Sequence, residues 1–509
     1  MFPFNIGTKK YIKMKINKLV FVMSILVYTN LLQAQDTISK VLTLEDAMNI
    51  AMENSPDIQK SRLNMERNKE NLNAQLAALK SRFAFDFTPI QYSVQEVYDD
   101  YFSEWYTEEN KTSNGSLIIS QPIKQTDGTI TLRNTLSYQD NYSEANNSTY
   151  TGFNNNFYIE FNQPLFTYNR TKMNLRRNQL SLETATLSYS IQMLNLERQV
   201  TQAFYFIYQK QKSVQIAKEE YDNQKISKSI IESKVEAGLA AKEELMQAEL
   251  NLATSESNYD NSIVDLENEK DQFKLLVGIS IYEDVAVQVN IEYKPVIIDL
   301  NKAIENGISQ RMELRQQQIN IDNAEMDIIQ SASTNEFRAD MNLSLGLMGN
   351  NEVFVDVYDK ATKSPQVGIT FKIPIFDWGE RKARIRAAEV ALESQKIDKK
   401  TEEDNIVLNL RKIFRNLQNL VTQIKIAEKN ETNAQLTYEI NLERYRNGDL
   451  TSMDLDRFQN QLSEKKANFS NALINYKLEL LNMKIQSLWD FENNQSFVPK
   501  EFQENIIED

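Results

Sequence analysis

With no Cys and no His among 509 residues, the chemistry open to this sequence rests on its carboxylates, tyrosines and basic side chains. Thiolate and imidazole metal sites, Cys- or His-based catalytic triads, disulfides and thiol redox chemistry are all excluded. No clustered acid–base pair stands out from the pattern. Glu96, Asp99, Asp100, Glu104, Glu108 and Glu109 crowd one segment, which reads as a solvated external loop, with a cation site as the alternative. Two further carboxylates sit at matching places: Glu244 follows Gly238 by six residues, and Asp454 follows Gly448 by six. Tyr445 precedes Gly448 by three. Several copies of such carboxylates in one ring would repel unless a cation, a hydrogen bond or a proton offset them. The 12 glycines form neither a dinucleotide nor a P-loop pattern. The net charge of −14 leaves no basic footprint for nucleic acid. The composition points to no enzyme, no cofactor and no bound metal.

The N-terminus points to export. Lys9, Lys10, Lys13, Lys15 and Lys18 precede the apolar run Leu19 to Leu32, which closes on Leu32-Gln33-Ala34. These read as a secretory leader, residues 1–34, cut after Ala34; Met14-Lys15 would start an equally well-formed leader. The run is short for a spanning helix, and no Cys follows it to carry a lipid anchor. No later stretch of 18 apolar residues exists, so membrane entry would have to be by β-strands.

The elements that must position the carboxylates are duplicated. Pro164-Leu165-Phe166-Thr167-Tyr168-Asn169-Arg170 aligns with Pro374-Ile375-Phe376-Asp377-Trp378-Gly379-Glu380 at an offset of 210 residues. Val235-Glu236-Ala237-Gly238-Leu239 aligns with Tyr445-Arg446-Asn447-Gly448-Asp449 at the same offset. Leu44-Glu45-Asp46-Ala47-Met48 matches Leu300-Asn301-Lys302-Ala303-Ile304 at 256, so the first half carries about 46 extra residues before its Pro-Leu-Phe motif.

The first repeat spans 35–297: a helix over 43–80 capped by Thr43 and Asp46, strands within 83–166, helices over 169–277, and a short equatorial segment, 278–297. The second spans 298–490: a helix over 298–335, strands within 338–376 and helices over 379–490, followed by a tail, 491–509. Phe83, Phe85, Phe87 and Val367, Ile369, Phe371, Ile373 alternate with smaller or polar residues, the pattern of a membrane barrel or of a half-buried sheet. Aromatic residues near the strand ends, Trp105, Tyr138, Phe376 and Trp378 among them, favour the barrel. Asp127-Gly128 between two alternating runs marks an inserted hairpin at about 117–138. Ile406, Leu410, Ile413, Leu417, Leu420, Ile424 and Ala427 step by four and three, a coiled-coil seam. The stretches 169–232 and 379–446, if helical, would each reach about 95–100 Å. Gly238 and Gly448 suit left-handed turns between antiparallel helices. Pro164 and Pro374 end strands where no further ladder donor is wanted. Arg170, Lys172, Arg176, Arg177, Arg381, Lys382, Arg384 and Arg386 open the long helices, as a collar near lipid headgroups or as a solvated face. The fold class is α+β: long antiparallel helices with a membrane β-barrel. One chain offers four strands, or six with the insert, and open edges cannot stand in lipid. Chains must therefore share one barrel, of twelve or eighteen strands in a trimer.

The leader, the duplicated helix–strand–strand–helix–turn–helix order and Phe371-Lys372-Ile373-Pro374-Ile375-Phe376-Asp377-Trp378-Gly379 resemble TolC-type outer-membrane efflux proteins across 43–490. Val235 to Leu239 and Arg444 to Gly448 resemble that family's helix–turn–helix ends. The resemblance implies a homotrimer with a barrel in outer-membrane lipid, a helical periplasmic tunnel and a closable tip. It further implies docking to a periplasmic adaptor (membrane fusion) protein and an inner-membrane pump. Glu244 and Asp454 match acidic positions at the constricted tip, and Tyr445 matches a gate tyrosine whose hydroxyl would reach a carboxylate. The family pattern has Arg two residues and Asp nine residues after the second Gly; here Leu450 and Arg457 stand there, so the gate network is rebuilt or absent. The expected function is passive exit of small molecules. Type I protein secretion is the nearest alternative, and a secreted coiled-coil scaffold or adhesin the more distant one.

Overall fold

The computed structural model describes residues 40–288 and 293–499. The leader, part of the equatorial segment and the end of the tail lie outside them. In chain order the elements are β1 (Lys40–Leu42), α1 (Leu44–Asn54), α2 (Pro56–Ala77), β2 (Arg82–Asp99), β3 (Glu104–Ile123), β4 (Gly128–Ser143) and β5 (Ser148–Leu165). There follow α3 (Arg170–Glu236), α4 (Lys242–Val277), β6 (Val285–Val287), α5 (Leu300–Gln310), α6 (Met312–Ala332), β7 (Arg338–Asn351) and α7 (Asp356–Asp359). The last are β8 (Thr362–Lys372), α8 (Glu380–Asn447), α9 (Ser452–Ser487), β9 (Trp489–Asp490) and β10 (Gln495–Ser496). Among the described residues no helix is long and apolar enough to cross a membrane.

The internal repeat is visible in these lengths. Helices α3 and α8 have 67 and 68 residues and α4 and α9 have 36 each, so the two halves build equivalent hairpins. Thr43 caps α1 in a reciprocal box with Asp46, and Asp299, 256 residues on, caps α5 through the N–H groups of Asn301 and Lys302. The helix expected over 43–80 is two helices. Ser55 is extended (ψ 126°) before Pro56, because proline has no N–H to donate and crowds the residue before it out of the helical region. The helix expected over 298–335 breaks at the matching place: Arg311 has ψ 128° with no proline after it. The bend is therefore a property of the repeat, and Pro56 fits it rather than causing it in both halves.

The chain forms two compact units. One comprises residues up to Pro56, Leu196–Lys294 and Leu420–Leu478. There β1 pairs in parallel with β6. Ala434, Tyr438 and Tyr445 of α8 bury against Leu455 and Leu462 of α9, continuing the four-and-three seam.

The other unit comprises Asp57–Asn195, Pro295–Asn419 and Glu479–Asp509. Leu180, Leu187 and Leu194, seven residues apart on α3, pack with Met312 and Ile319 of α6 and with Ile485 and Leu488. Ile406, Leu410, Ile413 and Leu417 of α8 are buried as the seam requires.

This second unit holds one antiparallel sheet of six strands, ordered β2-β3-β4-β5-β7-β8. The inserted hairpin is longer than the sequence marks it: β3 and β4 extend well beyond 117–138 on both sides. Asp127 takes the positive φ of the tight turn (64°). Successive rows across the ladder show two chemically distinct faces. Phe83, Ile119, Leu132, Ile159 and Leu345 form one row; Arg82, Ser120, Thr131, Glu160, Ser344 and Gln366 form the next. Because neighbouring residues of a strand point to opposite faces, one face is apolar and the other polar. Among the described residues, the outer edges, β2 and β8, have no partner on their far sides.

Between β7 and β8 the short α7 lies on this sheet. A Cβ on Gly349 would come 1.9 Å from the Val357 carbonyl oxygen, and Phe354 meets Phe153 edge-on at 5.4 Å between centroids. Gly349→Val must therefore lift α7 away. Faster trypsin cleavage at Lys360 and Lys363, with the helices unaffected, is the expected readout; unchanged cleavage would mean the loop is not held there.

Candidate functional site: strand–helix corners and helical turns

At the end of β8 the chain stops pairing after Lys372, runs through Pro374, and turns on Trp378 and Gly379, with φ 55° and 86°. Asp377 then caps α8: its carboxylate accepts from the N–H of Gly379 and of Arg381, each at 3.0 Å. Those backbone donors, Arg381's ahead of Gly379's, hold the carboxyl below the usual aspartate range. The cap's contribution is complete above about 3.8, the ordinary aspartate value, and is lost as pH falls through the lower folded-state value. Asp377→Asn should keep the cap while flattening that acid limb, measured as the protein's heat resistance from about pH 5 down to about pH 3. An unchanged acid limb would remove Asp377 from the account.

The first half builds the same corner differently. Pro164 leads to Phe166 at φ 61°, and Asn169 caps α3 by accepting from the Lys172 N–H at 2.7 Å. The carboxylate comes from the inserted hairpin. Asp127 accepts from the N–H of Thr171 at 2.9 Å, from its hydroxyl, and from the N–H of Arg170 at 3.3 Å. Asn169 in turn donates through Nδ2 to the carbonyls of Lys124 and Gln125. Sequence reading found Asp127 only as a turn residue, since its partners lie more than forty positions away.

Aromatic rings gather at both ends of the strands. At the corner end Phe337 meets Phe166 at a tilt and stacks on Phe371, and Phe376 meets Trp378 edge-on; Trp378 is 91% exposed. At the opposite end stand Tyr98 with Trp105 and Tyr138 with Phe153. Two aromatic belts bounding an apolar face are what the two edges of a bilayer select. The basic residues at the corners are in part tied down: Arg177 bonds Asp327, Arg384 bonds Glu380 and Arg386 bonds Glu389. Arg381 donates through Nε to the Ala332 carbonyl.

The two helical turns belong to the other unit. Gly238 (φ 72°) and Gly448 (φ 89°) take the left-handed conformation. Beyond them, the Leu239 N–H donates to Lys234 and the Asp449 N–H to Arg444, closing each helix in a Schellman arrangement. A Cβ at either glycine would meet nothing within 4 Å, so the need for glycine is conformational.

Tyr445 is fully buried. Its hydroxyl donates to the Ser227 carbonyl at 3.2 Å rather than to a carboxylate as the sequence reading supposed. Lys234 caps the same turn, with Nζ 2.6 Å from the Tyr445 carbonyl and 4.8 Å from its ring. Burial first, with the charge of Glu244 adding to it, pushes the Tyr445 hydroxyl above the usual tyrosine range, and Ser227 offsets part of the rise. The group stays protonated and acts as a donor.

Asp454 is the third helical residue of α9. It accepts from the Thr451 hydroxyl at 2.7 Å, and its N–H donates back to that oxygen at 3.2 Å. In the first half Ala241 stands where Thr451 does and offers no side-chain cap, so Glu244 is left without that role. Lys234, Ser227 and Thr451 escaped the sequence reading; the carbonyl that Lys234 bonds is on the other long helix, 211 residues away.

The profile of the family described as "Outer membrane efflux protein" matches residues 129–271 and 309–484. No curated protein sequence matches the chain. Among solved structures, the CmeC outer membrane channel of Campylobacter jejuni aligns over 91% of this chain and 88% of its own, with a TM-score of 0.68 and 15% identity. VceC of Vibrio cholerae aligns over 87% and 94%, with a TM-score of 0.65 and 11% identity. The open state of the MtrE outer membrane channel of Neisseria gonorrhoeae aligns over 87% and 88%, at 0.62 and 12%. At such identities the structures speak for the fold, and the profile speaks for the family. The chain belongs to the outer membrane efflux protein family, whose members are channels and not enzymes.

Proposed function

We propose that this chain is the outer-membrane exit duct of a tripartite export system. Three copies close one barrel, and small molecules leave passively, driven by an inner-membrane pump through a periplasmic adaptor. The observation that supports this most is the six-stranded sheet with one apolar face, one polar face and two unpaired edges. Unpaired strand edges are intolerable in hydrocarbon, and neighbouring copies remove them by pairing β8 of one with β2 of the next. Helices of 67 and 68 residues with polar residues on several faces suit a conduit through an aqueous compartment. Fractionation tests the reading directly: a heat-resistant trimer in the outer membrane that conducts in planar bilayers is expected. A monomer released in soluble form would sink it.

Within this reading Gly238, Gly448, Glu244, Asp454 and Tyr445 form the periplasmic tip and adaptor-docking end. Pro164, Pro374, Trp378 and Arg381 form the barrel junction. Glu244→Gln with Asp454→Asn should raise resting conductance and weaken divalent block, since an amide keeps the Asp454 cap while removing the ring's charge. Wild-type conductance and block in the double variant would place both residues away from the constriction.

A further inference from the structure

The inserted hairpin has no counterpart among the strands of the second half, β7 and β8, and it could stand in the wall or serve as a lid or lumen plug. Three features oppose that use. First, β3 and β4 are paired along most of their lengths with neighbours on both sides, β3 with β2 over 104–120 and β4 with β5 over 129–143; leaving the sheet would break both of these ladders. Second, the hairpin keeps the chemistry of the strands around it: Ile119 and Leu132 continue the apolar row, and Ser120 and Thr131 continue the polar one. A hairpin standing in water would have no reason to align its apolar residues with Phe83 and Ile159. Third, its turn is built into the corner. Asp127 caps α3, Asn169 binds the carbonyls of Lys124 and Gln125, and Gln163 donates to the Thr126 carbonyl at 2.7 Å.

We infer that β3 and β4 are wall strands, with Ile119 and Leu132 against lipid acyl chains and Ser120 and Thr131 toward the water-filled lumen. The barrel of the trimer therefore has eighteen strands. This rests on the exit-duct reading above. At a spacing of about 4.8 Å and a tilt of about 40°, twelve strands enclose a backbone radius of about 12 Å and eighteen about 18 Å. The membrane section is then too wide to select cargo, and selection falls to the helical turns.

The chain has no Cys, so single cysteines report cleanly. Ile119→Cys, Leu132→Cys, Ser120→Cys and Thr131→Cys are compared with Ile159→Cys and Glu160→Cys on β5. All are tested as trimers in vesicles of phosphatidylethanolamine and phosphatidylglycerol, with a charged maleimide. Labelling is expected at Ser120→Cys and Thr131→Cys, as at Glu160→Cys, and its loss at Ile119→Cys and Leu132→Cys, as at Ile159→Cys. A density map of the wild-type trimer in a lipid disc should count eighteen wall strands, which guards against variants that fail to assemble. If Ile119→Cys and Leu132→Cys label freely while Ile159→Cys stays protected, or the map shows twelve wall strands, the hairpin lies outside the wall and this inference fails alone. If Ile159→Cys labels as well, the sheet is not in lipid, and the exit-duct reading fails with it.

Discussion

Tyr445→Ala is expected to loosen the helical turn at Gly448 by about 3–5 kcal/mol, the range for truncating a large buried aromatic. The ring is fully buried among Tyr438, Leu455 and Leu462, close to the end of its helix, where few other contacts can take over. Lys234 would lose the ring beneath its ammonium as well, though the carbonyl it bonds would remain. Tyr445→Phe should cost less, about 1–2 kcal/mol, because it removes the hydroxyl's neutral hydrogen bonds, one to the Ser227 carbonyl and one from the Ser227 hydroxyl, and keeps the packing. Trypsin cleavage at Lys234, Arg444 and Arg446 separates the two variants: fast in Tyr445→Ala, near wild type in Tyr445→Phe. In bilayers the alanine variant should also show a raised resting conductance, since the turn it frees is the proposed tip. Equal protection of both variants would mean the ring is not what holds the turn.

What the sequence disclosed follows from how local each signal is. The seam from Ile406 to Ala427 is a repeating pattern within one helix: Ile406, Leu410, Ile413, Leu417 and Ile424 are buried, and Leu420 and Ala427 are half-buried. Gly238 and Gly448 each declare a backbone conformation by themselves. The offset of 210 residues survives because the corner and the turn are both short and chemically demanding. The bend at Ser55 was missed although Pro56 marks it, and the bend at Arg311 has no local mark at all. The hairpin was found only between 117 and 138 because apolar alternation is confined there. Its outer reaches, from Thr107 to Asn114 and from Gln139 to Asn141, are polar on both faces, and period alone does not tell a solvated strand from a loop. The partners of Tyr445 and of Asp127 lie far along the chain. No spacing rule connects Tyr445 to Ser227, 218 residues apart, or Asp127 to Thr171. The hydrogen-bond network around Tyr445 and Asp127 was therefore illegible in the sequence, although the residues themselves could be named.

Leu417→Pro should abolish assembly of the proposed trimer. Leu417 is 3% exposed in the middle of α8, so the substitution removes a helix N–H, drives a ring against the carbonyl one turn earlier, and deletes a seam side chain. The backbone part alone costs about 3 kcal/mol or more, and loss of a buried leucine about 2–5 kcal/mol. Leu417→Ala isolates the second part: it should lower heat resistance yet leave helix content and trimer formation in place. The repeat supplies an internal check. Ile207, 210 residues earlier on α3, is fully buried as well, so Ile207→Pro should fail in the same way and Ile207→Ala should behave as Leu417→Ala does. Trimer yield on unheated gels, with far-ultraviolet circular dichroism, reads all four variants. Wild-type yield for either proline variant would mean that the long helix is not continuous through that position, and a duct built on α3 and α8 would have to be abandoned.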